Sequence, residues 1–126
     1  MYRVVMVSSK PASLSALGSA LEADNRLSVE WADSREHALT LAADRSPDLM
    51  IVDETPDASA DLELVRNIMH CNALINVAVI SHLPEEAFHE AAEGLGVLMQ
   101  LPPGAGAAEA QAVLSRLNQM GFLTNS

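Results

Sequence analysis

The chain has a single lysine, Lys10, and no acidic residue before Glu22. Those two shortages decide what its first strand end can hold. Cysteine is confined to Cys71, which excludes an internal disulfide and fits a reducing compartment. Aromatics make up 3% of the 126 residues, so a core has to be built from Leu, Val, Ile, Met and Ala. Seven scattered Lys and Arg face seventeen Asp and Glu, for a net charge of -10. Nucleic-acid binding is thereby excluded, because neutralising phosphates takes clustered basic side chains. The acidity itself serves solubility. No apolar stretch approaches the roughly 20 residues that span a bilayer, and residues 4–7 are too few for a secretory leader. Phosphate loops are missing too, since Gly94, Gly96, Gly104 and Gly106 lack the strand–loop–helix setting. A soluble, cytoplasmic protein is expected, with residues 1–126 forming one domain.

What is present is alternation. Residues 3–7, 49–52, 77–80 and 97–101 are continuous apolar runs, the pattern of strands buried on both faces of a parallel sheet. Leu27-Ser28-Val29-Glu30-Trp31 instead alternates with period two, as an edge strand does. Helical stripes fill the intervals. Pro11 opens one that carries Leu14, Leu17 and Leu21 beside Ala16 and Ala20, and Asn25 closes it. Ser34 caps a second, with Ala38, Leu39, Leu41 and Ala42 inward, ending before Pro47. A third runs from about Ser59 to Cys71. A fourth starts after Pro84 and stops at Gly94 or Gly96, and the last covers residues 107–120. Five β–α units predict an α/β doubly wound parallel sheet with helices on both faces. In such sheets ligands meet the carboxyl ends of the strands. Here those ends are Ser8-Ser9, Asp53-Glu54, Ser81-His82 and Leu101-Pro102.

Asp53, closing Leu49-Met50-Ile51-Val52, is the strongest candidate among them. A metal cluster of Asp53, Glu54 and Asp57 is not expected, because neighbouring strand residues point to opposite faces. His70-Cys71 has no second ligand pair and is expected to end a helix with a half-buried thiol. His82 and His89 are expected at the surface. The apolar tail Met120-Gly121-Phe122-Leu123 either packs back or offers a contact.

Taken together, Pro47-Asp48-Leu49-Met50-Ile51-Val52-Asp53, the helix stretch Leu62-Glu63-Leu64-Val65-Arg66, and residues 77–81 ending in Ser81 resemble the receiver domain of two-component response regulators. The resemblance covers nearly the whole chain. It implies the CheY-like, flavodoxin-like (βα)5 sandwich with strand order 2-1-3-4-5, and Asp53 as phosphoacceptor. It also exposes departures. The family carries a carboxylate pair after its first strand to hold Mg²⁺, whereas Ser8 and Ser9 stand here with Lys10 after them. Hard Mg²⁺ requires anionic oxygen ligands. The family's phosphate-pairing lysine before a proline is matched by Leu101 before Pro102, and its aromatic switch residue by Leu98. Proline follows at Pro56 instead of at Asp57. In-line phosphoryl transfer depends on cations that absorb charge on the transferring oxygens.

The expectation is therefore a degenerate receiver, or pseudo-receiver, that acts by protein–protein contact. It is not an enzyme, holds no cofactor or metal, and has Asp53 as a carboxylate hydrogen-bonded to the hydroxyls of Ser8, Ser9 or Ser81. Its partners are other signalling proteins, a histidine kinase or an output protein, with a homodimer as a further possibility. The resemblance assigns contacts to the last two helices and fifth strand. Two alternatives stand beside it: a receiver still phosphorylated at Asp53 by an atypical route, and a small-molecule binder using the strand-end crevice.

Overall fold

Three of the four continuous apolar runs become the strands at the centre of the molecule, and the fourth lies at an edge of the sheet. The computed structural model describes residues 2–8, 14–45, 47–53, 63–72, 75–95, 97–102 and 104–119. Its strands are β1 (Tyr2–Val7), β2 (Leu27–Ala32), β3 (Leu49–Asp53), β4 (Asn76–Ile80) and β5 (Met99–Leu101), and all pairings are parallel. They lie in the order β2-β1-β3-β4-β5, the order expected, with the alternating strand at one edge. Every residue of β3 is buried, which is why its sequence is apolar without a break.

The helices α1 (Ser15–Glu22), α2 (Arg35–Arg45), α3 (Glu63–Cys71), α4 (Glu85–Ala92) and α5 (Ala107–Gln119) cover both faces. On one face Val4, Met6, Leu49 and Ile51 join Leu17 and Leu21 of α1 and Val113 and Leu117 of α5. On the other, Val5, Val7, Met50 and Val52 join Ala38 and Ala42 of α2 and Val65 and Ile68 of α3. Removing water from two such layers supplies the main driving force of the fold.

Local signals account for several boundaries. The Ser34 hydroxyl accepts the His37 N–H at 3.1 Å and caps α2. At the start of α5, Glu109 reaches back to accept the Gly106 N–H at 2.7 Å, half of a capping box. Gly94, at φ 81°, lets the chain turn left-handed after α4.

Three expectations change. The strand over 97–101 shortens to Met99–Leu101, at the sheet edge, where only Leu101 is fully covered. Ala16 is exposed, and Gly18 completes the inner face of α1 instead. Cys71 is exposed, not half-buried. The expected helix starts at Pro11 and Ser59 and the tail from Met120 to Leu123 lie outside the described residues. Among the described residues, no helix is long and apolar enough to cross a membrane.

The turn between α1 and β2 is held by Asp24. Its carboxylate accepts the Arg26 backbone N–H at 2.9 Å and both arms of the guanidinium, Nε at 3.0 Å and Nη2 at 2.8 Å. The Arg26 side chain, and next its backbone N–H, hold the Asp24 carboxyl below the usual carboxylate range. A lowered folded-state value means stability that is present at neutral pH and lost as pH falls through the ordinary aspartate range and below it. Asp24→Asn keeps the backbone acceptor and loses the ion pair. It is expected to lower the urea midpoint slightly at pH 7 and to match the native chain once pH is far enough below the ordinary aspartate range to protonate Asp24. An equal deficit at both pH values would assign the loss to turn geometry.

Candidate functional site

Strand register brings the candidate residues to one level. Val7 pairs with Val52, so Ser8 and Asp53 follow side by side. Asp53 pairs with Ile80 and Ile80 with Leu101. Ser8, Asp53 and Leu101 therefore mark a row across three strand ends, and Ser81 stands one residue beyond it. All four are buried, with Asp53 at 9% exposure.

Within that row Ser8 is fixed at both ends. Its N–H donates to the Ala32 carbonyl at 3.0 Å, and its hydroxyl donates to Asp53 Oδ2 at 3.1 Å. A hydroxyl proton thus occupies the side of the carboxylate that faces β1. The bond to Ser8 is as expected from the sequence. Ser81 differs: its hydroxyl serves its own loop, accepting the Leu83 N–H at 3.1 Å. Serine at the end of a strand commonly bonds local backbone in this manner. Ser9, Lys10, Glu54, Pro56 and Asp57 lie outside the described residues.

Leu101 stands where a basic residue would face the site. It is 1% exposed and packs with Ile80, Ala105 and Ala110 in the layer shared with α5. An aliphatic side chain there contributes core packing and no charge.

Among the described residues, this row offers Mg²⁺ a single carboxylate, that of Asp53. That ion demands near-octahedral oxygen ligands and is usually held by one or two carboxylates. Ser8 instead turns its hydroxyl proton toward the one carboxylate of the row. Among the described residues, no three His, Cys, Asp or Glu side chains gather as a metal cluster.

Among the described residues, the strand-end row sets the Asp53 carboxyl beside the Ser8 hydroxyl, with aliphatic Leu101 at the same level two strands away. Ser81 and Leu101 also border a second feature, a groove of about 890 Å³ between α4, β5 and α5. Phe88, Val97, Leu98 and Met99 give it apolar surface, and His82 and Arg116 stand at it.

Comparison with solved structures decides the architecture. A response regulator from Thermotoga maritima superposes with a TM-score of 0.79 at 22% identity, over 94% of this chain and 98% of that one. Its fold is that of a response regulator receiver domain. A CheY-like receiver domain protein from Methanospirillum hungatei JF-1 gives 0.80 at 15% identity, over 96% and 97%. The response regulator domain of Thermotoga maritima CheB gives 0.75 at 21% identity, over 99% of each chain. No family model and no curated protein matches the sequence. The receiver fold is thus established from its geometry.

Sequence reasoning missed Gln100. It is the one polar residue in the run Val97-Leu98-Met99-Gln100-Leu101, and that interruption was the available signal. Its carboxamide donates to the Leu83 carbonyl at 2.8 Å.

Proposed function

We propose that the chain is a receiver-like signalling module that works by protein contact and takes no phosphoryl group at Asp53 by the ordinary route. The observation that carries this is the Ser8 hydroxyl donating to Asp53 Oδ2 where receivers place a metal-binding carboxylate. Buried Leu101 at the position of their lysine supports it. Phosphoryl transfer is driven chiefly by positioning and by cations at the transferring oxygens. Two of the expected contributors to that charge are replaced by groups that carry none.

The face assigned to contacts is α4, β5 and α5. The groove there exposes apolar side chains beside a short edge strand, a feature found where proteins dock. The partner is another signalling protein, of histidine kinase or output type, in the cytoplasm. A homodimer through the same face is the competing arrangement, and sedimentation of the purified chain separates the two. No catalytic role is assigned to the module.

The deciding experiment exposes the native chain to a small phosphodonor with Mg²⁺ and measures intact mass. An unchanged mass is expected. A stoichiometric phosphate adduct that disappears in Asp53→Asn would overturn the proposal and favour an atypical phosphorylation route.

A further inference from the structure

We infer that Gln100 is a latch that fixes the start of α4 onto β5 and so sets the width of the groove between them. Gln100 pairs with Val79, so both side chains lie on the sheet face that also carries Leu83 and Phe88. From there Nε2 donates to the Leu83 carbonyl at 2.8 Å and, more weakly, to the Ser81 carbonyl at 3.5 Å. Both neighbours are acceptors, which dictates that the amide nitrogen face them.

The connection from β4 to α4 is tied to β5 a second time through its backbone, where the Ser81 N–H donates to the Leu101 carbonyl at 3.1 Å. Ser81 Oγ then accepts the Leu83 N–H and closes the loop on itself. Gln100 is thus the side-chain half of a clasp whose other half is strand backbone.

The clasp matters because α4 is thinly anchored, with Ala91 and Ala92 packed only in part against the core. It is eight residues long, and Phe88 is its one buried side chain. Pro84 precedes it with no side-chain cap. Helices this short are marginal on their own in water. Glu85 and Glu86 at its first turn favour the dipole, but they bind the helix to nothing beneath. A donor reaching up from the edge strand is therefore the contact that selects where α4 begins. The latch is independent of whether the groove is the contact face.

Hydrogen exchange tests it. Gln100→Leu keeps the size and removes the donors, while Gln100→Glu keeps the length and sets a carboxylate against two carbonyls. Both are expected to speed amide exchange over residues 83–92 by about tenfold, with β1 and β3 amides unchanged. Unchanged exchange over 83–92 would overturn the latch. So would equal acceleration in β1, β3 and α4, because that pattern signals general destabilisation. The native chain gives a check that needs no variant. The Gln100 side-chain amide protons should exchange more slowly than those of Gln111 and Gln119, which sit at exposed positions on α5. Equal rates would also overturn the latch.

Discussion

Ser8→Asp is expected to destabilise the protein by several kcal/mol at neutral pH and to make its stability depend on Mg²⁺. The Ser8 hydroxyl is 3.1 Å from Asp53 Oδ2, and both residues are buried. The substitution removes the donor and sets a second carboxylate beside the first. At about 4 Å and an effective dielectric of about 20, two like charges repel by roughly 4 kcal/mol. The lost hydrogen bond adds roughly 1 kcal/mol. As pH falls, one carboxyl of the pair takes up a proton and the deficit should shrink. The variant also gains what the native row lacks, a pair of anionic oxygens for a hard cation. A ligand that binds only the folded state at about a hundred times its Kd recovers about 2.7 kcal/mol. Urea unfolding of both chains, with and without millimolar Mg²⁺, checks this. The native midpoint should ignore the cation, and the variant's should rise. A variant as stable as the native chain, or a native midpoint that rises equally, would refute the account of the row.

A second large effect is expected at Gly18. A Cβ built there falls 2.5 Å from Trp31 Cζ2 and 2.9 Å from Cη2. Both atoms belong to a rigid ring that packs on the core and donates weakly through Nε1 to Glu22 at 3.4 Å. Alanine in a helix interior gains about 1 kcal/mol over glycine, while overpacking costs about 1–3 kcal/mol. Gly18→Ala is therefore expected to lower stability by up to about 2 kcal/mol, and Gly18→Val by about 3 kcal/mol or more. Trp31→Val clears the ring. In that background Gly18→Ala should reverse sign and stabilise by up to about 1 kcal/mol. A double-mutant cycle from urea midpoints measures the coupling, and additive effects would show that the ring moves aside at no cost.

Gly18 also shows where sequence reasoning stops. Within α1 it looks like a weak helix residue, and Ala16 looks like a natural core position. The indole that gives Gly18 its meaning comes from β2, and no local pattern announces a contact between separate elements. The central strands were legible for the opposite reason: burial on both faces leaves an unbroken apolar run, as in β3. Ser34 could be read as a cap because the bond to His37 spans three residues. Within the site, the places of Ser8, Asp53, Ser81 and Leu101 at strand ends followed from run boundaries. The direction of the Ser81 hydroxyl did not, since it depends on how its loop closes. Gln100 was visible as an interruption, but its partners depend on the pairing of β4 with β5.

The sole tryptophan, Trp31, stands on β2, while β5 forms the opposite border of the sheet. Four strand spacings, about 19 Å, separate them. Indole emission therefore reports on one flank of the molecule and is blind to events on the other. A titration followed by fluorescence can come back flat while α4 is being displaced, and a reporter placed at exposed Cys71 would watch a different part of the fold.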